Sequence, residues 1–94
     1  MKLKLRAAAV RDLDAIFDYG VATHGADTAG AYVRGLETTM DQLLAHPALG
    51  ATRDIRPGLR SIAGGEHRIF YRIEGEEIVV ARVLHKAMDV ERHL

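Results

Sequence analysis

Polar and apolar residues alternate strictly along Lys2-Leu3-Lys4-Leu5-Arg6, the period of two shown by a strand with one buried face. Its lysines suit a sheet edge, where charge discourages stray pairing. The period then changes. Val10, Leu13, Ile16, Phe17 and Gly20-Val21 recur at the spacing of one helix face. This predicts a first helix of about 14 residues. Asp12 and Asp14 fall in its expected first turn, where carboxylates favour the positive end of the helix dipole. No good capping residue precedes them. His24-Gly25-Ala26 breaks the pattern, and glycine can take the left-handed conformation that ends a helix. Asp27 or Thr28 can cap a second helix. Its buried face is Ala29, Tyr32-Val33, Leu36, Met40 and Leu43-Leu44, over about 17 residues. It stops before Pro47, because the residue preceding a proline avoids helical geometry. So short a break predicts an antiparallel helical hairpin.

Residues 48–58, punctuated by Gly50, Pro57 and Gly58, read as an irregular loop carrying Arg53 and Arg56. Leu59–Ala63 reads as a short strand, and Gly64-Gly65 as a tight turn into a hairpin. The hairpin joins His67–Ile73 to Ile78–His85 through Glu74-Gly75-Glu76. The order is β-α-α-β-β-β, which predicts an α+β fold, an antiparallel sheet packed on a helical hairpin. The tail 86–94 is amphipathic but short. It is either a docked terminal turn or a recognition element, and a helix of that length is marginal without docking.

Ninety-four residues make one domain, 1–94. The absence of cysteine excludes a disulfide scaffold, a thiolate metal site and a cysteine nucleophile. It also suits a reducing cytoplasm. No apolar run approaches the roughly 20 residues a membrane helix needs. The stretch Ala7–Val10 is too short for the core of a signal peptide, so none is expected. The net charge of zero hides segregation. Residues 12–45 carry six acids against Arg34, a sum of −5, so the rest of the chain sums to +5. Such polarity suits macromolecular partners of complementary charge.

Arg60, Arg68, Arg72 and Arg82 come from three adjacent strands. Arg68 and Arg72 share a face; the other two join them only if the registers allow it. They form either a cationic platform for a phosphate backbone or acidic protein, or a solvated face paired to Glu66, Glu74, Glu76 and Glu77. His85 ends the last strand, where a histidine can transfer protons or simply bond the tail. His24 and His46 suit helix C-termini. No histidine spacing resembles a metal site. Ser61 is the sole serine, which argues against a serine triad.

Several pieces in fixed order resemble one family: Ala9-x-x-Asp12-Leu13-x-x-Ile16-x-x-Tyr19, Ala31-Tyr32-x-x-x-Leu36, His46-Pro47-x-x-Gly50, Pro57-Gly58-Leu59-Arg60, His67-x-Ile69-x-Tyr71-Arg72 and Arg82-Val83-Leu84-His85-x-x-Met88-Asp89. Together they resemble ParE-type toxins of the RelE/ParE toxin–antitoxin superfamily. The resemblance implies a RelE-like α+β fold, a cytoplasmic location and no cofactor. It implies neutralisation by a ParD-type antitoxin, whose C-terminal helix would lie on the hairpin and sheet through Leu13, Phe17, Tyr32, Leu36 and Tyr71. It implies DNA gyrase as the target, engaged through Arg60, Arg68, Arg72, Arg82, His85, Met88 and Asp89. No membrane association is expected, nor sequence-specific nucleic-acid binding by the toxin alone. The alternatives are a RelE-type ribosome-dependent mRNA endonuclease and a non-toxic member acting only within an antitoxin complex. An endonuclease of that branch commonly has a tyrosine in its tail, and 86–94 holds none. Lysines are also scarce, only Lys2, Lys4 and Lys86. Both departures favour a binding inhibitor over an enzyme.

Overall fold

A computed structural model describes residues 1–94. The elements are β1 (Lys2–Leu5), α1 (Ala7–His24), α2 (Ala26–Ala45), β2 (Ala51–Thr52), β3 (Arg60–Gly64), β4 (His67–Glu74), β5 (Glu77–His85) and α3 (Val90–His93). They form one five-stranded sheet in the order β1-β5-β4-β3-β2 with the helical hairpin packed on it. The α+β class and the antiparallel meander β3-β4-β5 are as expected. One pairing differs. β1 runs parallel to β5, from Lys2 opposite Glu77 to Leu5 opposite Val80, so the sheet is mixed. The chain reaches β1 before both helices, and β1 then lies at the edge its lysines suit.

The helices are longer than their apolar periodicity predicts, 18 and 20 residues. Ala7-Ala8-Ala9 are strong helix formers, so α1 starts a turn early. Asp12 and Asp14 therefore lie beyond its first turn, and Asp12 serves a different purpose described below. Only Gly25 separates the helices, at φ 91°, a backbone shape open to glycine. It also stands where Asp27 or Thr28 was expected to cap α2; no side chain caps that end, and Asp27 lies in the first turn. The residues read as an irregular loop include β2, paired to β3.

The main core gathers Ala9 from α1, Leu36, Met40 and Leu43 from α2, and Ile69, Tyr71, Ile78, Val80 and Val83 from the sheet. Leu13 and Ile16 pack against it. Val10, Phe17 and Val21, expected on the same face, remain on the outside of α1. On the other side of the sheet Leu59, Phe70 and Leu84 make a second cluster. Ile55 from the loop and Val90 and Leu94 from the tail cover it. The tail is thus a docked turn; the Asp89 carboxylate accepts the Glu91 amide at its start.

Tyr71 ties the loop to the core. Its hydroxyl donates to Pro47 O (2.6 Å) and accepts from Gly50 N (2.9 Å). A Cβ at Gly50 would stand 2.7 Å from the Tyr71 ring and 2.8 Å from Ser61 O. That proximity explains the glycine.

Candidate functional site

Strand register decides which cations share a surface. On β4, Ile69 and Tyr71 face the helices, while Arg68, Phe70 and Arg72 face the other way. Arg60 pairs with Tyr71 and shares its side. It donates to Gly50 O at 2.8 Å, next to the end of α2. Ser61 pairs with Phe70 and so lies on the outer side. The four arginines do not form one platform: Arg68 and Arg72 are together, and Arg60 is on the opposite face. On β5 an irregularity at Ala81 lets Arg82 pair with Phe70 while Val80 pairs with Tyr71.

Arg82 is held inside the fold. Its Nε and Nη2 donate to the two Asp12 carboxylate oxygens, each at 2.8 Å, a bidentate pair. Its Nη1 donates to His93 O at 2.7 Å. Asp12 also accepts the Val83 amide at 2.9 Å. That amide points out of β5 just beyond the point where β1 stops pairing with it. One carboxylate on α1 therefore caps a strand edge and fixes a guanidinium that anchors the tail. The hydrogen bonds it donates to Asp12 hold the Arg82 pKa above the usual arginine value.

Arg68 and Arg53 converge on a single neutral atom. Arg68 donates Nε and Nη2 to Ser61 Oγ at 3.3 and 3.2 Å, and Arg53 donates Nη1 at 3.1 Å. Ser61 is 1% exposed. The Arg53 guanidinium also lies 5.5 Å from the centre of the Phe70 ring. Neither arginine makes an ion pair. Two like charges on one hydroxyl, with no carboxylate beside them, leave donor capacity directed outward. Arg72 donates to Pro57 O, and Arg56 to Leu94 O at 3.1 Å. Arg53 was legible only as a loop cation; its approach to Ser61 depends on the fold of 51–60.

His85, Met88 and Asp89 divide between two sides. His85 pairs with His67 at the helix-facing end of the sheet, with ring centroids 5.2 Å apart and planes at 86°. Tyr32 Oη lies 2.6 Å from His67 Nδ1 and accepts the Glu66 amide at 2.8 Å. Burial, then the neighbouring His85, push the His67 pKa below the ordinary histidine value. These groups line a groove of about 510 Å³ between the hairpin and the sheet, walled by Ile16, Tyr19, Ala29, Val83 and Met88. Met88 is on its rim, 45% exposed. Asp89 caps α3. Glu66 and Lys86 form an exposed ion pair beside the groove, which lowers the Glu66 pKa and raises that of Lys86.

The residues expected to meet an antitoxin also separate. Leu36 is 2% exposed and Tyr71 is fully buried, so both are core residues and offer no surface. Leu13 packs under the hairpin. Tyr32 is partly buried and bonded to His67. Phe17 remains 39% exposed, with Val10, Val21 and Tyr19 also presented from α1. No group of side chains could hold a metal ion, and no helix is long and apolar enough to cross a membrane.

The family model described as the ParE toxin of the type II toxin–antitoxin system, parDE, matches residues 3–90. Toxin ParE1 of Mycobacterium tuberculosis (strain H37Rv) is 42% identical over 92 residues, covering 96% of this chain and 94% of that one. Toxin ParE1 of Caulobacter vibrioides is 36% identical over 92 residues, covering 97% and 95%. Among solved structures, the chromosomal ParDE system from P. aeruginosa superposes with a TM-score of 0.81 at 28% identity, over 90% of this chain and 95% of that chain. The toxin–antitoxin complex RelBE2 from Mycobacterium tuberculosis, at TM-score 0.60 and 23% identity, covers 90% and 96% and shares the fold. The chain belongs to the ParE toxin family of type II toxin–antitoxin systems.

Proposed function

We propose that this ParE toxin acts in the cytoplasm by binding DNA gyrase and trapping it on cleaved DNA, without breaking a bond itself, and that a ParD-type antitoxin neutralises it. The observation that carries this reading is the separation of groups a nuclease must unite. Cleavage of RNA needs a proton-transfer group and cations around one phosphate. His85 faces the helices, whereas Arg68, Arg72 and Arg53 lie on the other side of the sheet; Arg60 shares the side of His85 but sits four positions along β3 from the His67–His85 end and donates to Gly50 O. The tail lacks a tyrosine to complete a catalytic pair. A charged, partly apolar outer face suits capture of a macromolecule instead. The ParDE complex from P. aeruginosa supports an antitoxin partner for this chain. The exposed Phe17, Val10 and Val21 on α1 offer it an apolar stripe.

Within this reading Arg53 and Arg68 engage the target, and α1 engages the antitoxin. Replacing Arg53 and Arg68 together by glutamine will reduce accumulation of gyrase-cleaved DNA by roughly tenfold or more at fixed toxin concentration, the loss of charge-assisted contacts. Affinity for the antitoxin will change less than about threefold, since rim charges away from an interface contribute little. Equal loss of both would mean that this face belongs to the antitoxin.

A further inference from the structure

His67 and His85 stand opposite each other on β4 and β5, each using Nδ1 to bond another part of the chain. His85 Nδ1 accepts the Ala87 amide at 3.0 Å. An amide nitrogen only donates, so His85 Nδ1 carries no proton and the ring is neutral, protonated at Nε2. Tyr32 Oη accepts from the Glu66 amide and lies on His67 Nδ1, a bond that either group can donate. The next proton on His85 must enter at Nδ1, the atom already in use.

The surroundings offer little to an imidazolium. From α1, the Asp12 carboxylate is committed to Arg82 and the Val83 amide. From the β4 turn, Glu66 is paired with Lys86. From α2 the facing group is the neutral Tyr32, and His24 at the end of α1 lines the same groove. The His67 pKa is depressed by burial first and by the neighbouring His85 second; Glu66 and Asp12 oppose the shift without reversing it. Two charged rings 5.2 Å apart would also repel.

We propose that the His67–His85 pair is a proton-operated latch on the C-terminal tail. With both rings neutral, His85 holds the Ala87 amide and sets the direction in which residues 86–94 leave β5. A proton arriving at His85 Nδ1 converts the acceptor into a donor, and the Ala87 N–H···Nδ1 bond breaks as the ring turns. The turn at Lys86–Met88 loosens, and Met88 leaves the rim of the groove. The tail stays tethered through Arg82 to His93 O and Arg56 to Leu94 O, so the response is a hinge motion and not unfolding. The inference stands on these bonds and does not depend on gyrase or the antitoxin.

Nuclear magnetic resonance of the full chain, titrated from about pH 8 to about pH 5, tests the latch across the range in which histidines charge. The Ala87 amide shift will follow the same midpoint as the His85 ring. Its hydrogen-exchange protection, corrected for intrinsic rate, will fall by about tenfold, as loss of one net hydrogen bond implies. In His85→Asn the side-chain oxygen can accept the amide two residues on without titrating, so the Ala87 response will be flat. The same variant will raise the His67 midpoint, because the like-charged neighbour that helps depress it is gone. An Ala87 amide indifferent to pH in the parent chain overturns the proposal. So does a pH response that persists in His85→Asn, or a His67 midpoint unmoved by that variant.

Discussion

Replacing Asp12 by alanine will destabilise the fold by about 2–4 kcal/mol in urea unfolding, the range for breaking a mostly buried ion pair and stranding its partners. The Asp12 side chain is 14% exposed and that of Arg82 23%. Three bonds end on this carboxylate: two from Arg82 and one from the Val83 amide. Alanine leaves a guanidinium without its counter-charge and a strand-edge N–H without an acceptor. It also weakens the seat of the tail, because Arg82 holds His93 O. Asp12→Asn retains one oxygen for Val83 while losing the charge, so its cost will fall between those of parent and alanine. For a 94-residue domain, typical total stability is about 5–14 kcal/mol, and the loss is a large share of it. A change under about 0.5 kcal/mol would show that Asp12 is a surface charge. Arg82→Ala follows from the same geometry. It will lower toxicity and antitoxin binding together through the fold, whereas a target-facing arginine would lower toxicity alone.

Leu36→Ala and Phe17→Ala will separate core from surface. Leu36 is 2% exposed and packs among Met40, Ile69 and Tyr71. Its truncation will cost about 2–5 kcal/mol, the transfer loss plus the cavity left behind. Phe17 is 39% exposed on the outer side of α1. Its truncation will cost under about 1 kcal/mol of stability, as surface changes do. The same substitution will weaken the antitoxin complex by about 1–2 kcal/mol, a drop of roughly 5–30-fold in affinity, if Phe17 is an anchor of that interface. Paired calorimetry and denaturation check both. Phe17→Ala that unfolds the chain, or Leu36→Ala that spares it, would reverse these assignments.

Much of the fold was legible because each element states its own period. The alternation of β1 and the hairpin, the apolar face of α2 and the glycine between the helices all follow from local chemistry. The departures within the sheet share one cause. Alternation tells which face a residue takes but not which strand is its neighbour. That is why β1 could be read as an edge strand without its parallel partner β5 being known. It is also why Arg60 could be grouped with Arg68: only the pairing of Arg60 with Tyr71 turns it to the helix side. Arg68 and Arg72, two strand periods apart, were read correctly as sharing a face. Leu36 and Tyr71 carry the family resemblance because they build the core, not because they meet a partner. The groove joining Tyr32, His67 and His85 brings together residues 35 and 18 positions apart, and nothing local announces it.

Capture without cleavage is tested most directly by one experiment. Purified toxin is added in parallel to gyrase with supercoiled DNA and to ribosomes translating a defined mRNA. Binding without chemistry predicts that DNA ends covalently held by gyrase accumulate with toxin dose while the mRNA remains whole. Gyrase that turns over undisturbed while the ribosome-bound mRNA is cut would contradict it.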